Sequence, residues 1–202
     1  MSRLATSFVL GYHGCDETVG LQAIRGETSL IQSDKAYDWL GPGAYFWEAD
    51  PQRALEWAGA KFKHDDGAKP FVIGAVIDLR HCLDLTNRKD LEILRAAYEA
   101  FVATQEISGL PLPKNRNIKS DTNADRLLRF LDCAVINHLH SMLDGSGAED
   151  PNIEPYDTVR GLFTEGGELY PGSGFKQKSH TQIAVRNPRC LRGLFIPILD
   201  PA

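Results

Sequence analysis

The run F-V-I-G-A-V-I-D-L at 71–79 constrains the fold more than any other stretch. A continuous apolar run of this length reads as a buried central strand, so a sheet must extend to either side of it. The chain supplies the partners. F-V-L-G-Y at 8–12 and Gly43–Glu48 precede the run, Leu83–Leu85 can extend the sheet, and Thr158–Phe163, Thr181–Val185 and Leu194–Ile198 come much later. Helical signals fall between them. Asp16 is placed to cap a helix through about Arg25. Asp50-Pro51 gives a cap and then a proline at the first helical position, with Ala54, Ala58 and Phe62 repeating on one face. From Asp90 to Glu106 the period is helical, and Leu91, Leu94, Tyr98 and Phe101 share a face. A second long helix is expected from a cap at Thr122 or Asn123 to about Leu143. Its stripe is Leu127, Leu131, Val135, Leu139 and Met142, and Gly145, Gly147 and Pro151 end it. Strands, then helices, then strands imply an α+β single domain over 1–202, with a strand core at about 8–85 and 156–198 and a helical insert at about 86–150.

A net charge of -5 argues against a protein that holds nucleic acid by general electrostatics. Two local basic clusters remain: Arg116, Lys119, Arg126 and Arg129, and Lys176, Lys178, Arg186, Arg189 and Arg192. A solvated, salt-laced surface accounts for both. No stretch approaches the ~18 apolar residues that would span a bilayer. The opening M-S-R-L-A-T-S is not a charged segment leading into a long apolar one. Cys15, Cys82, Cys133 and Cys190 form no C-x-x-C and read as four reduced, mostly packed thiols. The expectation is a cytoplasmic protein without membrane contact.

Several familiar chemistries drop out. There is no H-E-x-x-H, no P-loop, no G-x-G-x-x-G and no G-x-S-x-G, and G-P-G at 41–43 is a turn that opens no helix. His138 and His140 would lie roughly 200° apart around a helix, so they make no metal pair, and no metal is expected. What remains is His13-Gly14 at the end of the first strand and Tyr45 after the Gly-Pro-Gly turn.

In this order, separated by one helix, these segments resemble the ADP-ribosyltransferase superfamily in its diphtheria-toxin and poly(ADP-ribose) polymerase branch. In that family a strand ending in His-Gly binds NAD, and a tyrosine after a glycine turn stacks on the nicotinamide. A glutamate on a late strand, just after a glycine-rich loop, completes the signature. S-H-T-Q-I-A-V at 179–185 follows G-E-L-Y-P-G-S-G-F and falls at that third position, with Gln182 where the family has glutamate. The resemblance implies a split antiparallel sheet core. It also implies a mono-ADP-ribosyltransferase that moves ADP-ribose from NAD to a macromolecular acceptor, protein or nucleic acid, and releases nicotinamide. NAD, the co-substrate, would be held by His13, Gly14 and Tyr45, with Tyr37 or Trp39 as a second wall. Catalysis would fall to Gln182, His13 and Tyr45, with His180 as general base for the acceptor.

Residue chemistry agrees with these roles. His13 can exchange hydrogen bonds with ribose hydroxyls, Gly14 lets its backbone approach a carboxamide, and Tyr45 offers a flat face. Tyr45 and Trp47 share one sheet face and Phe46 the other. The amide of Gln182 can accept a hydrogen bond but brings no charge, so the missing charge is left to the acceptor or to another carboxylate, Glu165 or Glu168. The same departure admits an NAD glycohydrolase, or a catalytically weak module that binds NAD or ADP-ribose. The loop 164–178 is expected to face the acceptor, and Trp57 is read as scaffold. Members of this family commonly serve as toxins in bacterial toxin-antitoxin and phage-defence systems, which implies a neutralising antitoxin.

Overall fold

The computed structural model describes residues 8–118, 123–149 and 154–199. They fold as a mixed α/β arrangement with one seven-stranded sheet and, among the described residues, four α-helices. The strands are β1 (Phe8–Asp16), β2 (Ala44–Glu48), β3 (Pro70–Asp78), β4 (Cys82–Asp84), β5 (Thr158–Phe163), β6 (His180–Val185) and β7 (Leu191–Phe195). Their order across the sheet is β4-β5-β6-β2-β1-β3-β7, so strands from both ends of the sequence share one sheet. The run at 71–79 supplies β3, between β1 and β7, and Val72, Ile73, Ala75 and Ile77 are buried there. No helix among the described residues is long and apolar enough to cross a membrane. All four cysteines are free, three of them buried.

The first two helices start where their caps predict. Before α1 (Glu17–Ile24), the Asp16 carboxylate accepts the Thr18 N–H at 2.9 Å. Before α2 (Pro51–Lys61), Asp50 accepts the Arg53 N–H at 2.9 Å. Each bond satisfies one of the amides that a helix start leaves unpaired. Ala54 and Ala58 of α2 are fully buried, and this flat face lies directly over β1 at Gly14.

The pairing of β1 decides where a ligand can enter. β1 pairs with β3 along its whole length, from Phe8↔Asp78 to Asp16↔Pro70. It meets β2 at only two positions, Gly11↔Glu48 and Tyr12↔Trp47. Beyond them β2 turns to β6, and the strands part at His13 and Tyr45. The sheet is continuous through all seven strands, and β1 and β2 pair over a short stretch only. That sheet is mixed, because β4 and β5 run parallel.

Several boundaries differ from the sequence reading. His13 lies inside β1 and does not end it, since pairing with β3 continues to Asp16. β7 starts at Leu191, three residues early, because the 3-10 turn Pro188–Cys190 delivers the chain to the sheet at once. In α3 (Arg88–Ser108) the inward face is Ile93, Leu94, Ala97 and Phe101, while Leu91 and Tyr98 are exposed. The largest difference is α4, which spans Phe130–Glu149, passes through Gly145 and Gly147, and leaves Leu127 in the preceding segment. Asn123 does not cap it; Thr122 and Pro151 lie outside the described residues. The cap comes from a distance. Asn115 Oδ1 accepts the Leu131 N–H at 2.9 Å and the Asp132 N–H at 3.4 Å, and Arg116 pairs with Leu128 through two backbone hydrogen bonds. No local pattern encodes such a cap. Of the basic clusters, Lys119 lies outside the described residues, whereas Arg129, Arg186 and Arg192 pair with Asp132, Asp144 and Asp78.

His140 on α4 is buried against Gly41 and Tyr156, and neither ring nitrogen has a partner. Burial, reinforced by the charge of Arg186, pushes its pKa down to about 3. The unfolded chain therefore binds this proton first. The stability held above the ordinary histidine range is lost as pH falls towards 3, by up to about 1.4 kcal/mol per pH unit. His140→Phe is expected to match or exceed the wild type at pH 7, because it removes two unsatisfied polar atoms. It should also flatten the decline between pH 6.5 and 4, read by denaturant unfolding at several pH values. An unchanged slope would assign the acid sensitivity to other groups.

Candidate functional site

The gap between β1 and β2 opens into a cleft of about 640 Å³, well within the range of small-molecule sites. Its β1 wall is His13, Cys15 and Asp16; Gly14, expected to hold the ligand, is buried between them and is not part of the lining. Successive residues of a strand point their peptide groups to opposite sides. The Leu10 carbonyl accepts the Ala49 N–H on the β2 side, and the Glu17 N–H donates to the Lys69 carbonyl on the β3 side. Gly14 shares the direction of Leu10, so its N–H and C=O face the β2 side of β1. Its missing side chain serves a different purpose from the expected one: a Cβ there would lie 2.4 Å from the Ala54 carbonyl oxygen. The residue must be glycine for α2 to close on β1, and that closure holds α2 at the cleft wall.

His13 spans the gap. Its Nδ1 lies 2.7 Å from the Tyr45 carbonyl oxygen. A carbonyl only accepts, so Nδ1 carries the proton and Nε2 is left as an acceptor. Burial lowers its pKa, the Tyr45 carbonyl opposes this, and the charge of Lys61 adds to it. The neutral ring is thus an acceptor for a hydroxyl.

Tyr45 is tied at its far end. Its hydroxyl donates to the Gly41 carbonyl at 2.8 Å and accepts the Leu40 N–H at 3.0 Å, leaving the ring as cleft wall. Burial, helped by Asp38, raises the phenol pKa, so it stays neutral. The register Tyr12↔Trp47↔Gln182↔Gly161 sets these residues side by side across β1, β2, β6 and β5. Gly161 is small because Trp39 sits over it; a Cβ would lie 2.8 Å from the indole. From this seat Trp39 Nε1 donates to Gln182 Oε1 at 2.7 Å. An indole N–H only donates, so the amide orientation is fixed and Gln182 offers its Nε2 amino group to a ligand. One of the two lone pairs of Gln182 Oε1 is thus taken by Trp39. Of the two residues expected as a second wall, Tyr37 lines the cleft and Trp39 stands behind Gln182.

At the loop end of the cleft, Arg53 Nη2 donates to both oxygens of Glu165, at 2.7 and 3.0 Å. His180 lies beside this pair, stacked on Phe163 with its Nδ1 2.6 Å from the Lys178 carbonyl. By the same logic its Nε2 is the acceptor. Burial lowers its pKa, and the Lys178 bond and Glu165 oppose that. Glu165 lines the cleft but Glu168 does not; the latter accepts the Gly172 N–H within its own loop. That loop is a small hairpin, with Leu169 and Phe175 joined through backbone and Leu169, Tyr170 and Phe175 exposed.

Sequence reasoning missed Arg53, Trp57 and Lys61. They lie one turn apart on α2 and all line the cleft, next to the buried stripe Ala54, Ala58. The spacing i, i+4, i+8 was the available signal. Trp57, expected as scaffold, is a cleft residue in contact with Trp47. Among the described residues no group of three or more His, Cys, Asp or Glu side chains is placed to hold a metal ion. Comparison of the chain with protein-family models, with curated proteins and with solved structures finds no match.

Proposed function

We propose that the chain is an NAD-dependent mono-ADP-ribosyltransferase with an ADP-ribosyltransferase-like sheet. One observation carries this reading. His13, Tyr45 and Gln182, which lie up to 169 residues apart, line a single cleft at the point where β1 and β2 separate. In this reading the nicotinamide lies on the Tyr45 ring, beside His13. A ribose hydroxyl donates to His13 Nε2. Nicotinamide leaves as its bond to the ribosyl carbon breaks, and the acceptor nucleophile forms the new bond there. His180, neutral and beside Glu165, takes the acceptor's proton.

Labelled NAD tests this. Nicotinamide release that needs a lysate, with label that vanishes on protease or nuclease treatment, supports transfer and names the acceptor class. Release without lysate makes the protein a glycohydrolase. The specific observation favouring a third reading, a binding module, is that the cleft carboxylate Glu165 is already held by Arg53 and position 182 is an amide. Absence of release in either condition would leave only that reading. Tyr45→Ala is expected to weaken NAD binding at least about tenfold by removing the stacking face and its hydrogen bonds to the 40–41 turn. Calorimetric titration with NAD measures it, and an unchanged affinity would remove Tyr45 from the site.

A further inference from the structure

Two cations in the cleft have no role in the reaction above. Lys61 is the last residue of α2, and Lys35 lies on the loop closed by the Ser33–Gly43 bridge. Both line the cleft. Each ammonium sits over an aromatic ring, Lys61 Nζ 4.8 Å from the centre of Trp57 and Lys35 Nζ 5.7 Å from that of Tyr37. Neither forms an ion pair with a carboxylate among the described residues, whereas Arg53, Arg129, Arg160 and Arg186 all do. Lys61 is exposed, but its partial withdrawal from solvent and then the charge of Lys35 lower its pKa, so the two ammonium groups feel each other. Two like charges aimed into one cleft repel unless an anion lies between them.

We propose that Lys35 and Lys61 form a clamp for the diphosphate of a dinucleotide ligand. The position fits the chemistry. Lys61 ends α2, two turns beyond the Arg53 that pairs with Glu165 at the loop end, and it is close enough to His13 to lower its pKa, so the clamp stands at the other end of the helix from that pair. A dinucleotide with one half on Tyr45 must carry its diphosphate outwards past this point. The aromatic rings hold the ammonium groups in place before the ligand arrives, which reduces the ordering cost of binding. One clamp arm belongs to α2 and the other to the 33–43 loop, so the anion also ties that loop to the helix.

The clamp rests on the NAD reading, and the test separates the two. Intrinsic tryptophan fluorescence, which Trp47 and Trp57 make sensitive to the cleft, is titrated with NAD, ADP-ribose, inorganic diphosphate and adenosine. In Lys35→Gln/Lys61→Gln, NAD and ADP-ribose affinity is expected to fall about tenfold or more at low salt, with a flatter salt dependence. Adenosine affinity should stay unchanged, and Lys35→Arg/Lys61→Arg should keep most of the binding. Both side chains are exposed, and a thermal melt checks that the fold is intact. Equal NAD affinity in the wild type and the glutamine variant overturns the clamp and leaves the NAD reading standing. Lysine-dependent binding of ADP-ribose and diphosphate without NAD binding overturns the NAD reading and keeps the anion site. No binding of any of the four to the wild type overturns both.

Discussion

Glutamate in place of Gln182 is expected to raise NAD turnover by about 10²-fold, the scale on which a single well-placed electrostatic group acts on a charged transition state. The argument starts from Trp39. Its indole N–H, seated over Gly161, holds Gln182 Oε1 at 2.7 Å and leaves Nε2 free for the ligand. Glutamate has the same shape, so one oxygen keeps the Trp39 bond, now assisted by charge, and the other replaces the amino group. A donor at the ribose becomes an acceptor with a negative charge, which strengthens as positive charge develops on the sugar ring. Nicotinamide release measured under single-turnover conditions reads this step directly. The indole hydrogen bond also makes Trp39 a positioning residue. Trp39→Phe removes the N–H and lets the amide rotate, so it should change kcat more than the NAD dissociation constant. Unchanged turnover in the glutamate variant would place the rate-setting charge elsewhere, with Glu165 the remaining cleft carboxylate. A fall in turnover would mean that the amide donor is itself required.

Much of this site was legible in the sequence because its members announce themselves locally. His13-Gly14 ends an apolar run, Tyr45 follows a glycine turn, and Gln182 and His180 sit on the strand after a glycine-rich loop. What stayed hidden depends on contacts across the chain. Trp39 looks like cleft wall until Gly161, 122 residues later, is seen to make room for it behind Gln182. The stripe Arg53, Trp57, Lys61 was overshadowed by the apolar repeat one residue further along α2. The start of α4 could not be found because its cap, Asn115, lies 15 residues before it, across a segment in which Ala124 and Arg126 take left-handed backbone conformations. Local pattern places strands and most helix starts, whereas the partners of a buried polar atom are decided by topology.

Gly14→Ala is expected to have the largest effect on the fold of any single methyl group added in the cleft region. The new Cβ would lie 2.4 Å from the Ala54 carbonyl oxygen and 3.2 Å from both Ala58 Cβ and Trp57 Cε3. The first of these is helix backbone and has no rotamer to yield, so α2 must move away from β1. Overpacking of this kind costs about 1–3 kcal/mol, or a fall in Tm of roughly 2–12 °C for a chain of this size. Function should suffer more than stability, because α2 carries Arg53, Trp57 and Lys61 into the cleft, and a shift of the helix displaces all three. The same substitution at Gly59, two turns into the same helix, provides the control. Nothing lies within 4 Å of a Cβ there, and alanine in a helix interior is worth about 0.5–1 kcal/mol over glycine. Thermal melts of the two variants should therefore move in opposite directions. A Gly14→Ala protein with wild-type Tm that has lost NAD binding would show that the glycine is needed for ligand approach alone. Wild-type behaviour in both assays would mean that α2 does not press on β1 in the way the packing at Ala54 and Ala58 requires.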